Sequence, residues 1–236
     1  MDYQFSESGK VEEARIQAAY AKRQGSNLYS WFNPSYVFMA QEQERRMLVA
    51  LEQHGFALLN TIRILEIGCG RGYWLREFIK WGAKPQNIKG IDLLSDRVEE
   101  ARRLCPEGVE IKCGSAGKLD FRDETFDLVL QSTVFSSILD SSLRQQISQE
   151  MLRVLKENGA ILWYDFHVNN PRNPDVQGVN KRAILHLFPG CRIELRRITL
   201  APPLARFLAP YSLLACSLLE QLKVFNTHYL GVIRKA

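Results

Sequence analysis

Residues 63–75, Arg63-Ile-Leu-Glu-Ile-Gly-Cys-Gly-Arg-Gly-Tyr-Trp-Leu75, run from an apolar strand through a glycine-rich turn straight into a helix. Gly68, Gly70 and Gly72 carry no Cβ, so the backbone can turn sharply and present its N–H groups to a ligand, as in a nucleotide-cofactor pocket. The spacing discriminates among cofactors. A dinucleotide fingerprint requires glycine where Tyr73 stands, which weakens an NAD reading. A phosphate loop G-x-x-x-x-G-K-[ST] is absent, since Gly117-Lys118 is followed by Leu119.

The remaining pattern, Glu66-x-Gly68-x-Gly70-x-Gly72, resembles motif I of the class I S-adenosylmethionine-dependent methyltransferases. Lys89-Gly-Ile-Asp92 follows as a second strand, and Asp92 falls 20 residues after Gly72. A carboxylate at such a strand end can accept hydrogen bonds from both ribose hydroxyls. The resemblance implies that Leu93 offers an apolar surface to adenine. It also places Ser115, followed by Ala116, where the family commonly carries an aspartate for the adenine amino group. Phe126-Asp127-Leu-Val-Leu-Gln131 resembles motif IV, with Gln131 where donor and acceptor meet. Over residues 60–166 the resemblance implies S-adenosylmethionine as cofactor and S-adenosylhomocysteine as product. Their expected contacts are Glu66, Gly68, Cys69, Gly70, Gly72, Asp92, Leu93, Ser115, Ala116 and Gln131. Taken singly, Asp92 reads equally as an N-cap of the following helix and Asp127 as a turn residue; the assignment rests on the set.

Strands over 62–67, 87–92, 109–113, 126–131 and 159–166 alternate with helical stretches near 71–80, 95–104 and 140–157, with Gly159 read as the residue closing the last helix. A final pair, Cys191–Leu200 and Thr227–Arg234, closes the sheet. The expected fold is α/β: a Rossmann-like, seven-stranded, mostly parallel sheet with an antiparallel edge strand and helices on both faces. Residues 1–58 form an N-terminal helical arm, with helices over 10–24 and 34–54, and residues 59–236 the main domain, with a helical insertion over 201–226 before the last strand.

The five cysteines include no C-x-x-C pair and read as reduced small hydrophobes, and the N-terminus carries no basic region followed by an apolar run. Both point to a cytoplasmic location. Residues 172–236 hold ten Lys/Arg against three Asp/Glu, a balance of +7, whereas residues 1–171 hold 21 against 23. This asymmetry fits either an anionic partner, such as a membrane surface, or an ordinary solvated face. The insertion, rich in Leu, Phe and Tyr, is interrupted by Arg206, Pro210 and Glu220, which makes it too broken to span a bilayer. It reads as a helical pair buried against the sheet or in a homodimer interface, or as a peripheral contact with anionic lipid at the inner membrane face.

Tyr29, Trp31 and Phe32 in the arm are expected to help cover the donor pocket, core packing being their alternative role. His167 ends the fifth strand and is the candidate general base, with Asp165 two residues earlier to orient it. Asp165, Asn169 and Asn170 lack a second carboxylate at recognised spacing, so no metal is assigned, while Arg172 is a candidate partner for an acidic group. The stretch Tyr164–Arg234 is similar to methyltransferase-like proteins of bacterial cell-surface polysaccharide assembly, which implies a sugar hydroxyl or lipid-linked glycan as acceptor. A small aromatic or quinone-like acceptor, or a non-catalytic cofactor-binding module, are the alternatives. No nucleic-acid motif is present.

Overall fold

The computed structural model describes residues 7–22, 29–171 and 173–236. Its elements in chain order are α1 (Glu7–Ala21), α2 (Pro34–Gln53), β1 (Ile64–Ile67), α3 (Tyr73–Lys80), β2 (Ile88–Asp92), α4 (Ser95–Leu104), β3 (Glu110–Cys113) and β4 (Phe126–Ser132), followed by α5 (Ser141–Val154), β5 (Leu155–Phe166), α6 (Lys181–Leu187), β6 (Arg192–Leu200), α7 (Pro202–Leu208), α8 (Leu213–Gln221) and β7 (Asn226–Arg234). The strands form one sheet in the order β3-β2-β1-β4-β5-β7-β6. All pairs from β3 to β5 are parallel, β7 runs antiparallel to both neighbours, and β6 forms the edge. The expected α/β sheet is therefore present, with its reversed strand second from the edge.

Strand alternation distributes the core over both faces. Ile64, Leu128, Leu130 and Leu162 point to one side, where Leu75, Phe78, Val98 and Ala101 of α3 and α4 cover them. Leu65, Ile67, Val129 and Trp163 point to the other, beneath Leu143, Ile147 and Met151 of α5. Local signals set the helix starts: Asn33 Oδ1 accepts from Ser35 N ahead of Pro34, and Asp140 Oδ1 from Leu143 N at 2.7 Å. Asp127 fixes the other end of the strands, since it accepts from Arg63 N and pairs with Lys156.

The two arm helices go separate ways. Met47, Ala50 and Leu51 of α2 join the core beside α3, and Phe38 packs with Leu200, Ala205, Ala209 and Cys216 of the β6–α7–α8 region. Only one side of the insertion is thus covered; Phe207, Tyr211, Leu214, Leu218 and Val224 are exposed. No helix among the described residues is long and apolar enough to cross a membrane.

Gly159 does not close α5, as the sequence had indicated. The helix ends at Val154, and β5 begins at once with Leu155 paired to Phe126; the register then jumps so that Leu128 faces Ala160. A Cβ at Gly159 would lie 2.7 Å from Leu155 Cδ1 and 2.9 Å from the Asp127 carbonyl, so close packing within this irregularity requires the glycine. Gly159→Ala should lower stability by about 1–3 kcal/mol in urea denaturation; an unchanged midpoint would show that the strand yields at no cost.

Candidate functional site

The sheet order changes direction between β1 and β4, and in such sheets ligands bind beyond the carboxyl ends of the strands at this point. A cleft partly open to solvent lies there. Its floor is built from the ends of four strands: Ile67-Gly68, Ile91-Asp92-Leu93, Gly114-Ser115-Ala116 and Ser132-Thr133-Val134.

The glycine turn adopts the backbone that its composition allows. Gly68, Gly70 and Gly72 have φ of 66°, 51° and 72°, all in the left-handed region. A Cβ at Gly68 would sit 2.4 Å from Val134 Cγ2, and one at Gly72 would sit 2.7 Å from Cys105 Sγ. Asp92, buried at the end of β2, holds the turn: Oδ2 accepts from Gly70 N at 2.7 Å and Oδ1 from Leu94 N at 2.9 Å. Burial pushes its carboxyl above the usual range, and these two N–H groups act in the opposite direction. A carboxylate has about four acceptor positions, so Asp92 retains capacity for ligand hydroxyls.

Of the residues expected to bind the cofactor, Gly68, Asp92, Leu93, Ser115 and Ala116 line the cleft. The others serve it from behind. Cys69 turns its side chain into the core against Gly90, while its N–H bonds the Ile91 carbonyl. Gly70 and Gly72 contribute only backbone. Gln131 is fully buried, donates to the Tyr164 carbonyl and accepts from Val134 N, so it shapes the turn that carries Ser132 and Thr133 without reaching the cleft. Glu66 is 2% exposed and shares a strand face with Ile64; its Oε2 has no hydrogen-bond partner among the described residues. Desolvation, followed by the nearby Asp92, pushes its carboxyl well up.

The cover of the cleft differs from expectation. Tyr29, Trp31 and Phe32 are 69%, 51% and 98% exposed, and Tyr29 and Trp31 pack against Tyr36. Instead α1 crosses the opening and contributes Glu13, Ile16 and Tyr20. Its latch is polar: Glu12 accepts from the backbone N–H groups of Leu139 and Asp140, Arg15 donates to the Ser137 carbonyl at 2.6 Å, and Tyr20 Oη bonds Ser137 Oγ at 3.0 Å. The Arg97 guanidinium lies 4.3 Å from the Tyr20 ring centroid. No local sequence motif marks Glu13, Tyr20, Arg97, Thr133 or Ser137; the helical spacing of Glu13, Ile16 and Tyr20 is their sole signature.

The expected Asp165–His167 pair is not formed. Asp165 is fully buried and accepts from Ser136 N and Phe166 N, whereas His167 Nε2 meets the Asn226 carbonyl at 2.9 Å and its ring stacks on Tyr229. Backbone pairing of His167 N with Thr227 O keeps that residue on the β7 side, away from the cleft lining. Burial lowers the imidazole pKa. Arg172 lies outside the described residues. Among the described residues, no group of three His, Cys, Asp or Glu side chains is arranged to hold a metal.

Burial pushes Asp165 up to about 6, against the hydrogen bonds from Ser136. Because this value is raised above the unfolded one, the folded state holds the proton more tightly; that stability is complete below about pH 4 and is lost as pH climbs through 6. Asp165→Asn removes the titration. Relative to wild type, the variant should gain stability by up to roughly 3 kcal/mol between pH 4 and pH 7 in denaturant melts; a pH-independent difference would refute this origin.

Residues 64–159 match a family model described as a methyltransferase domain. The chain is 37% identical over 108 residues to a fatty-acid O-methyltransferase from Mycolicibacterium smegmatis, covering 44% of this chain and 36% of that protein. It is 30% identical over 103 residues to the biotin biosynthesis bifunctional protein BioHC of Cellvibrio japonicus, 44% of this chain and 19% of that one. The chain thus spans less than half the length of these curated relatives. Among solved structures, YcgJ from Bacillus subtilis superposes with a TM-score of 0.59 at 16% identity, over 83% of this chain and 99% of that one. Residues 64–159 thus match a methyltransferase domain, and the glycine turn held by Asp92 agrees with the resemblance to the class I S-adenosylmethionine-dependent methyltransferases.

Proposed function

We propose that the protein transfers a methyl group from S-adenosylmethionine to an oxygen of an acceptor that carries an apolar portion. The observation that carries the reading is the cleft itself, in which Gly68, Asp92, Leu93, Ser115 and Ala116 meet the hydroxyl-bearing end of β4. The fit to the donor rests on its parts. The left-handed turn leaves room at Gly68 that a Cβ would close, and Asp92 is placed for a diol. Ile91, Leu93, Ala116, Leu143 and Ile147 form an apolar slot for a flat ring.

S-adenosylmethionine, when bound, supplies a methyl group already activated on a sulfonium, so the protein has chiefly to bind, orient and exclude water. Asp92 would hold the ribose, the backbone of the turn the amino-acid end, and α1 would close the site. Thr133 and Ser137 offer hydroxyls on the acceptor side, and Thr133 is held with φ of 57° by its N–H bond to the Tyr164 carbonyl.

The first acceptor reading is a hydroxyl of a sugar in a lipid-linked glycan. Its support is the likeness of residues 164–234 to polysaccharide-assembly proteins, together with the exposed apolar side of α7–α8, where Arg206 and Lys223 are exposed and the single acid, Glu220, is buried. Such a surface fits peripheral contact with anionic lipid. A second reading, a small lipophilic carboxylic acid, is favoured by a specific observation: among the described residues no histidine lines the cleft, and a carboxylate, already ionised at neutral pH, needs no base. The similarity to a fatty-acid O-methyltransferase supports the same acceptor class.

Purified protein incubated with methyl-labelled S-adenosylmethionine and fractionated bacterial extract should place label in glycolipid under the first reading and in small lipophilic esters under the second. No labelled product in any fraction would count against transferase activity. Asp92→Asn should weaken S-adenosylhomocysteine binding about ten- to a hundredfold by calorimetry, because it removes the charged acceptor and turns an N–H donor toward Gly70 or Leu94; unchanged affinity would remove Asp92 from the donor site.

A further inference from the structure

We infer that Glu13 of α1 recognises the exocyclic amine of the donor's adenine, supplying from the covering helix the carboxylate that the β3 loop lacks. The inference rests on the donor-binding reading above. Among the described residues, two carboxylates line the cleft, Asp92 and Glu13. Both oxygens of Asp92 already accept from backbone N–H groups, whereas Glu13 Oε1 is shielded from solvent and meets no hydrogen-bond donor among the described residues. Glu13 lines the cleft and keeps one acceptor that no protein donor satisfies, which calls for a donor on the ligand once the carboxylate turns toward it.

The position of Glu13 along the cleft selects which part of the ligand it faces. Its neighbour Glu12 bonds Leu139 N and Asp140 N, immediately before α5, and α5 sends Leu143 and Ile147 into the cleft. A Cβ at Gly117 would lie 3.2 Å from Leu143 Cδ1, so the Ser115–Gly117 loop packs at this same end. Seven residues further along α1, Tyr20 lies under Arg97, whose Nη1 is 3.9 Å from a Cβ built on Gly70. The helix therefore runs from the apolar slot, at Glu13, to the glycine turn, at Tyr20.

Within the slot the ligand group is a flat heteroaromatic ring, and the N–H donors of adenine are on its exocyclic amine. Ser115 is poorly suited to serve them alone, since its Oγ already accepts from Gly117 N at 3.1 Å and carries no charge. Glu13 offers a charged acceptor with a vacant oxygen at the same end. Because α1 is latched through Glu12 and Arg15 and not through Glu13, closing the helix delivers the carboxylate to the ring and leaves the latch intact.

The test uses the full chain and S-adenosylhomocysteine as the probe, with its 6-oxo analogue, S-inosylhomocysteine, as comparator. Glu13→Gln should weaken S-adenosylhomocysteine binding about ten- to a hundredfold by calorimetry. It should also narrow the preference over the inosyl analogue, because a carboxylate repels the 6-oxo group while an amide can donate to it. An unchanged thermal midpoint without ligand and unchanged helicity, with Glu13→Asp as a second variant retaining the charge and some affinity, would separate recognition from unfolding. Equal affinity of wild type and Glu13→Gln for S-adenosylhomocysteine would overturn the inference, and lost turnover with that affinity intact would assign Glu13 to the acceptor. Absence of binding by wild type would overturn the donor reading itself.

Discussion

Asp92 ties the end of β2 to the turn at the end of β1, and the rest of the site depends on that tie. Its two oxygens accept from Gly70 N and Leu94 N at 2.7 and 2.9 Å, so one buried carboxylate orients the glycine turn before α3 and the loop before α4. Hydrogen bonds to a charged acceptor are worth roughly 1.5–3 kcal/mol each, enough to offset much of the desolvation that raises its pKa. The glycines make the geometry attainable: at φ between 51° and 72°, side-chain-bearing residues would be strained, and Gly68 has no room for a Cβ beside Val134.

The floor and the cover of the cleft are held by different forces. The floor belongs to a sheet buried on both faces, with Ile67, Leu65 and Val129 fully enclosed, and it yields only with the whole domain. The cover is attached through Glu12, Arg15 and Tyr20, with Ile16 packed only partly against the core. Fewer buried apolar contacts hold such a helix than hold a core strand, which lowers the cost of local opening. The second arm helix, α2, lies instead in the core beside α3 and carries the insertion on its outer side.

Most of the sheet was legible because parallel strands buried on both faces are continuous apolar runs ended by turn residues, and because glycine and carboxylate positions mark strand ends. The expected residues that line the cleft, Gly68, Asp92, Leu93, Ser115 and Ala116, all sit at or just beyond such ends. The others differ in direction. Cys69 and Gln131 occupy the right loops but turn inward, and Asp165 and His167 share a strand end but bond to different neighbours, Ser136 and Asn226. Gly159 looked like a helix end because α5 passes into β5 with no intervening loop.

The chain's own residues determined the strand–glycine turn–helix unit, the carboxylate at the next strand end and the parallel order that brings them together, since these follow from Cβ sterics, apolar periodicity and short connections. Tertiary structure alone decided what closes the cleft. Glu13 and Tyr20 lie more than a hundred residues before Ser137 and Leu139, and nothing local distinguishes a helix that crosses a site from one that packs a core. That choice is made by long-range pairing of Glu12 and Arg15 with backbone groups on the α5 side, which exist as partners only once the sheet has assembled.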